Sequence, residues 1–226
     1  MDDHSLVREL LRDVCVRDLG YEVVAEAECG ADAVSLIVRV RPDLVLLDLG
    51  LPDIDGFEVI DLVRRSGCHP RIVLLSGYCD DYTVYRVEHA GVQGFLDKPG
   101  CVSATLKCAL AAVAQGRTCF SGAFCRVQAA RRMDPLAFDK ILSDSERRLL
   151  EMTCRFMTDR EIAEQLDISV LTVEKHRFNL RHKLDVGSKP EMMRYGRDHG
   201  FMPFSRGSAV ASGGSTMKAA SGAPRG

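Results

Sequence analysis

Leu6, Val7, Leu10, Leu11, Val14 and Leu19 fall at helical spacing over residues 5–19, so the chain opens on a helix with one apolar face. Residues 21–27 carry Val23 and Val24 and read as a strand. Residues 32–40 return to helical spacing and stop before Pro42. The unbroken apolar run Leu44-Val45-Leu46-Leu47 is what a strand buried on both faces of a parallel sheet requires. Residues 57–65 read as helix, and Ile72-Val73-Leu74-Leu75 is a second buried run. A helix over 81–89, a short strand over 91–96 and an alanine-rich helix over 102–114 follow. Strands alternating with helices predict a parallel sheet with helices on both faces.

Between residues 117 and 140 the pattern weakens and Arg126, Arg131 and Arg132 gather, which reads as a linker. Residues 142–201 hold helical stretches and no convincing strand. Residues 203–226 are rich in Gly, Ser and Ala with little to bury, and read as a disordered tail. The expected organisation is an α/β domain over 1–116, a linker over 117–140, a small all-α domain over 141–202 and the tail over 203–226.

A length of 226 residues accommodates these two small domains. The longest apolar stretch, Ala109 to Ala114, falls far short of the roughly 20 residues of a membrane helix. Residues 1–20 show no basic start followed by an apolar block, so no secretory signal is expected and the chain is placed in the cytoplasm. The nine cysteines are odd in number and include no C-x-x-C pair. That argues against a disulfide scaffold or zinc ribbon and for reduced thiols that pack.

The net charge of −2 hides an asymmetry. Residues 1–116 hold 11 Lys+Arg against 19 Asp+Glu, a net of −8, and residues 117–226 hold 19 against 13, a net of +6. One half is acidic, and the other is suited to a polyanion.

In open parallel sheets, ligands bind at the carboxyl ends of strands. Asp48 ends the first buried run and Ser76 the second, while Lys98 follows Phe95-Leu96-Asp97, and Asp2 and Asp3 precede the first helix. On one sheet edge these bring together three carboxylates, a hydroxyl and an ammonium. Crowded carboxylates repel one another and need a cation, and hard oxygen donors suit Mg²⁺. Asp48 is then placed as a nucleophile toward a phosphoryl group whose oxygens Mg²⁺ and Lys98 neutralise. Each residue alone has a blander reading, since an Asp at a strand end is more often a loop cap. Their order carries the weight.

Asp2-Asp3-His4, the block Leu46-Leu47-Asp48-Leu49-Gly50-Leu51-Pro52 continuing through Asp55-Gly56, Ser76-Gly77, and Gly94-Phe95-Leu96-Asp97-Lys98-Pro99 resemble the receiver domain of bacterial response regulators. The resemblance covers about residues 2–116. It implies a flavodoxin-like fold in which Asp48 accepts phosphate from a sensor histidine kinase. It further implies that Asp2, Asp3, Asp48 and the Gly50 carbonyl hold Mg²⁺, and that Lys98 is the cationic anchor. Ser76 and Phe95 match the pair whose coupled movement reports phosphorylation. The chain departs from the family at its start. Receivers begin with a buried strand before the acidic pair, central in the order 2-1-3-4-5, and only Met1 precedes Asp2. The reading preferred is a start lying upstream, with Asp2 and Asp3 poorly held in this chain.

In the basic half, Ile162, Ala163 and Leu166 share one face of a helix over 158–166. A turn with Ser169 as N-cap leads into a longer helix over 170–183, with Val173, Leu180 and Leu184 facing inward. Leu171, Lys175, Phe178 and His182 fall on the opposite face, flanked by Glu174 and Arg181. This is a helix-turn-helix, whose second helix enters the DNA major groove. Thr172, His176, Arg177 and Lys183 are placed to reach phosphates. The blander reading is a helical bundle with a wet basic face.

Leu142-Ser143-Asp144-Ser145-Glu146, Glu161-Ile162-Ala163 with Leu166, Ile168-Ser169, Thr172-Val173, His176-Arg177 and Lys183-Leu184 resemble the LuxR-type DNA-binding domain over about residues 138–201. With the receiver, the whole resembles a response regulator of the NarL/FixJ class, which implies a last helix over about 189–199 that supports dimerisation on DNA. Phe156 stands where that family usually has glycine, and Phe178 where a small or polar residue is common. The expectation is a cytoplasmic transcriptional regulator, not an enzyme, that binds DNA as a homodimer and is switched by phosphoryl transfer to Asp48. The alternative is a phosphorylation-independent DNA-binding or interaction protein with a degenerate receiver. A Mg²⁺-dependent phosphatase would need a second acid at D-x-D spacing, where the chain has Gly50.

Overall fold

The computed structural model describes residues 1–100 and 103–202. Cys101, Val102 and the stretch read as a disordered tail lie outside the described residues. The chain opens with α1 (Ser5–Asp13), continued by a π-helical turn over Val14–Asp18. Then follow α2 (Gly30–Val40), β1 (Leu44–Asp48), α3 (Gly56–Arg65), β2 (Arg71–Ser76), α4 (Asp81–His89) and β3 (Gly94–Asp97). A 3₁₀ turn over Lys98–Gly100 and α5 (Ser103–Ala114) come next. The four strands, closed by β4 (Cys119–Phe120), are all parallel in the order β1-β2-β3-β4.

The buried runs became the cores of β1 and β2, whose side chains are covered on both faces of the sheet. Val45, Leu47, Ile72 and Leu74 pack one face with Ile37 of α2 and Ile60 of α3. Val73, Leu75 and Leu96 pack the other with Leu11 of α1 and Leu106 and Leu110 of α5. Asp55 and Asp80 cap the helices that leave the sheet, each accepting a backbone N–H at 2.8 Å from Glu58 and Thr83 respectively.

Two segments differ from expectation. Residues 117–140 carry β4 and α6 (Gly122–Met133) where a linker was expected. Phe124 of α6 is buried against Phe95, and Arg131 is buried between Glu88 and Asp139. A two-residue strand and a helix anchored by one phenylalanine leave no periodic signal.

Residues 21–27 form no strand, although their exposure alternates residue by residue as a strand's does. A strand needs a ladder, and only Met1 and Asp2 lie between this segment and β1. Met1 donates its amine to Leu46 O at 3.1 Å and accepts from Asp48 N at 3.0 Å, while Asp2 N donates to Ala27 O at 3.2 Å. Beyond Met1 the gap opens into a cavity of about 640 Å³.

The second half is helical: α7 (Phe138–Ile141), α8 (Asp144–Cys154), α9 (Asp159–Leu166), α10 (Val170–Lys183) and α11 (Lys189–Asp198). Capping boxes start α8 (Ser143 with Glu146) and α9 (Thr158 with Glu161), and Ser169 caps α10 by accepting Thr172 N at 3.1 Å. Leu149, Leu150, Ile162, Val173, Leu180 and Met192 form the core. Tyr82 of α4 completes it from the receiver side. Its ring stacks on Phe201 at 3.9 Å, its N–H donates to His199 O at 3.0 Å and its hydroxyl to Glu151 at 2.9 Å.

Phe156 closes α8 in the left-handed region, with φ of 62°, while its ring is 67% exposed. An L-residue there costs about 1–2 kcal/mol, and glycine escapes that cost. Phe156→Gly is expected to stabilise the helical half by about 0.5–1 kcal/mol after glycine's greater unfolded-state entropy is subtracted. A urea midpoint that falls instead of rising refutes this account.

Candidate functional site

The carboxyl ends of β1, β2 and β3 bring the acidic residues, the hydroxyl and the lysine to one edge, because parallel strands all end on the same side. Asp48 ends β1 and is 3% exposed, and Asp2 is fully buried. Lys98 follows β3 and reaches both, with Nζ 2.8 Å from Asp2 Oδ2 and 2.9 Å from Asp48 Oδ2. Asp48 Oδ1 accepts the Gly50 N–H at 3.2 Å. Asp2 is held on every side, since its N–H pairs with Ala27 O and its Oδ1 accepts His4 N at 3.0 Å. The expectation was that Asp2 and Asp3 would be poorly held; Asp2 is instead tied through its backbone to Ala27 and through its carboxylate to His4 and Lys98. Asp3 is joined to His4, whose Nδ1 lies 2.7 Å from Asp3 Oδ1.

Burial pushes the Asp48 carboxyl above its ordinary range, and the hydrogen bond from Lys98 only partly opposes this. Burial also works against the Lys98 ammonium, but the bonds to Asp2 and Asp48 outweigh it and raise the lysine. Three charges with a net of −1 share a dry pocket. Asp2, Asp3 and His4 place their ligand atoms within 4.8 Å of one another. Asp2 and Asp3, with Asp48 beside them, offer hard carboxylate oxygens, a donor set that fits Mg²⁺.

Ser76 ends β2 opposite Asp97, and its Oγ accepts the Tyr78 N–H at 3.0 Å. Phe95 is wholly buried against Phe124. Gly56 lies so close to Asp48 that a Cβ there would stand 2.7 Å from the Asp48 carbonyl oxygen. The loop after β1 can turn back only without a side chain at that position.

In the helical half, α10 presents Leu171, Glu174, Lys175 and Phe178 outward, with Leu171 75% and Phe178 61% exposed. Thr172 stands at its first turn beside Ser169, and Arg181 and His182 lie near its end. Two expected phosphate contacts are engaged elsewhere. Arg177 is largely covered and bonded to Asp159 of α9 and to Thr153 of α8. Lys183 Nζ donates to Glu146 at 2.8 Å. These cations tie α10 to its neighbours. His176 stays half-buried on the same helix.

Sequence reasoning missed the contact between the halves. Arg86 of α4 stacks over Phe57 at 4.0 Å and pairs with Asp55 at 3.0 Å. Arg155 bridges Asp55 at 3.6 Å and Glu151 at 2.8 Å. No spacing rule links residues 55, 86 and 155, so the sequence carried no signal for them. Glu146 is the exception. Its place in the Ser143 capping box was visible, but its partner Lys183 was not.

Comparison with known proteins gives two family matches. Residues 1–109 match the response regulator receiver domain, and residues 140–195 match the bacterial regulatory proteins of the luxR family. The nitrate/nitrite response regulator protein NarP of Escherichia coli (strain K12) is 33% identical over 194 residues, 84% of this chain and 88% of that protein. Response regulator UvrY of the same organism is 29% identical over 203 residues, covering 88% and 93%. Among solved structures, a LuxR-family two-component response regulator from Aurantimonas sp. SI85-9A1 is 32% identical with a TM-score of 0.55, covering 59% of this chain and 94% of that one. RcsB from Salmonella enterica serovar Typhimurium shares the fold, with a TM-score of 0.60 at 22% identity over 86% of this chain and 94% of its own.

Neutralising one of two buried carboxylates removes repulsion. Asp48→Asn is expected to stabilise the receiver by about 1 kcal/mol at neutral pH. A carboxyl whose folded-state titration is raised favours the fold fully below the unfolded range near pH 4, and that contribution is lost as pH rises through the folded value. The gap between variant and wild type in urea therefore widens from pH 4 to pH 7. Lys98→Ala leaves two buried carboxylates without their cation and is expected to cost on the order of 3 kcal/mol. Equal urea midpoints for wild type and Lys98→Ala contradict the shared-ammonium account.

Proposed function

The chain belongs to the DNA-binding response regulators that join a receiver domain to a LuxR-type helix-turn-helix domain, and from that membership we propose that Asp48 is the phosphoacceptor through which a sensor histidine kinase sets its DNA binding. The family is one of transcriptional regulators, not enzymes. The observation that carries the proposal is the convergence of Asp2 and Asp48 on one lysine Nζ at 2.8 and 2.9 Å.

One Asp48 carboxylate oxygen attacks the phosphorus of a phosphohistidine. A P–O bond forms, the P–N bond breaks and the imidazole leaves with its electron pair. Asp2, Asp3, Asp48 and the Gly50 carbonyl would hold Mg²⁺, which when bound supplies the charge that neutralises the phosphoryl oxygens. Lys98 exchanges its bond to Asp48 for one to the phosphoryl group. Ser76 turns its hydroxyl from Tyr78 N toward the new oxygens, and Phe95 follows into the space this leaves.

That rearrangement starts five residues before Asp81, where α4 begins. Asp80 caps α4 and lies against Gly200, and Tyr82 sits inside the helical core. Ser76 and the joint between the halves thus share one short loop. The receiver biases a pre-existing equilibrium between docked and released helical domains. The outer face of α10 is exposed here, so control runs through how two copies pair on DNA, with α11 as the pairing helix.

On DNA, Thr172, Glu174, Lys175, His176, Phe178 and Arg181 form the contacting set, with Phe178 suited to a thymine methyl. Arg177 and Lys183 join it only by leaving Asp159 and Glu146. A two-fold dimer reads paired half-sites. The proposed kinase and DNA partners imply a cytoplasmic protein; separately, among the described residues, no helix is long and apolar enough to cross a membrane.

Intact mass after incubation with Mg²⁺ and a small phosphoryl donor tests the acceptor. A gain of one phosphoryl group in wild type and none in Asp48→Asn is expected. No gain in a folded sample favours a phosphorylation-independent regulator. For DNA, Lys175→Ala is expected to weaken binding across sequences and to lower the slope of log K against log salt by about one. An unchanged slope removes Lys175 from the interface.

A further inference from the structure

We propose that α10 selects its DNA by the C5-methyl groups of two thymines that flank a cytosine, with Leu171 and Phe178 covering the methyls and Glu174 accepting from the cytosine N4 amino group. The inference rests on the DNA-binding reading above and adds to it the bases that are read.

Leu171 and Phe178 do nothing for the fold. Val173 and Leu180 of the same helix turn inward and are wholly buried in the helical core. Leu171 and Phe178 lie on the opposite face and stand largely in solvent. Seven residues make almost two whole turns at 3.6 residues each, so the two side chains project along one line. The water around two large apolar side chains is released only when an apolar surface covers them. Among the base edges of the major groove, the thymine C5-methyl is the apolar group.

The polar residues of α10 fix the base between. Arg177 and Lys183, whose side chains have the chemistry to pair with guanine, are bonded inward to Asp159 and Glu146. Glu174 is exposed, three residues after Leu171 and four before Phe178. A carboxylate accepts hydrogen bonds and donates none. In the major groove guanine and thymine present acceptors, which repel it, and adenine sets an acceptor beside its donor. Cytosine presents its N4 donor alone, so it is the base that fits. Lys175, also exposed, supplies attraction to the phosphates, which positions the helix without specifying a base.

The spacing sets the length of the site. At 1.5 Å of rise per residue, Leu171 and Phe178 are about 10 Å apart along the helix axis. Base pairs rise by about 3.4 Å, so the two thymines stand about three base pairs apart with the cytosine between them. Recognition helices present their amino-terminal residues to base edges, and all three side chains lie within residues 170–178, the amino-terminal part of α10.

The test uses the whole chain, with and without prior incubation with Mg²⁺ and a small phosphoryl donor, and synthetic duplexes with a random core. Duplexes selected by binding are expected to carry two thymines about three base pairs apart around a cytosine. Each thymine is then replaced by deoxyuridine, which lacks only the methyl. Each replacement is expected to weaken binding about fourfold, the worth of one buried carbon group. In Phe178→Ala one replacement is expected to become silent, and in Leu171→Ala the other. Both side chains are exposed, so neither variant disturbs the core. Glu174→Ala is expected to lose the cytosine preference while binding unselected duplexes more tightly, because a negative charge leaves the face. Replacements that are silent in the wild type, or that still weaken binding fourfold in both alanine variants, overturn the proposal. Selected duplexes without the paired thymines overturn it as well. In each of these cases salt-sensitive binding leaves the DNA-binding reading in place. A whole chain that enriches no duplex and shows no salt-sensitive binding under either condition overturns that reading and this inference together.

Discussion

Two buried carboxylates that both stay charged in one pocket need a cation between them. Asp2 and Asp48 meet this condition through Lys98, and much of the receiver half is arranged to deliver those three groups. The cation arrives from β3, the acceptor from β1, and Asp2 from the residue pair that bridges β1 to residues 21–27. Burial raises the Asp48 carboxyl, and the lysine partly restrains it. A phosphoryl group with a divalent cation changes that balance more than any side-chain movement could.

The two halves share a core. Tyr82 belongs to α4 by sequence and to the helical core by packing. Around it Arg86, Asp55, Arg155 and Glu151 form a chain of ion pairs across the joint. The stacked rings and the polar chain lie side by side in one joint. The loop between Ser76 and Asp81 is the shortest connection between the acceptor's edge and that joint.

The helical half resolves a different competition. A recognition helix needs cations for DNA and also needs ties to its scaffold. Arg177 and Lys183 serve the second purpose through Asp159 and Glu146, while Lys175 stays exposed. Glu146 is lowered despite its burial because Lys183 and Ser143 bond it, so the tie holds across the neutral range.

Much of this was legible in the chain alone. The runs at Leu44 and Ile72 specified parallel strands because only such strands hide both faces, and Ser169 specified the start of α10 because a hydroxyl there satisfies a free N–H. Asp48, Ser76 and Lys98 were legible because each directly follows or ends a strand. The helix over 81–89 and that over 170–183 match the structure residue for residue. Residues 117–140 were not legible, since β4 is two residues long and α6 rests on Phe124. The strand expected at 21–27 failed for a physical reason: its pattern is right, but a strand exists only with a partner, and Met1 and Asp2 supply one at a single end. Sequence thus determined what is local and periodic: the elements, their caps and the order of the chemistry. Tertiary structure alone decided which cations are spent on scaffold ties and that Tyr82 joins the two halves, because each depends on groups far apart in the chain meeting at a few ångströms.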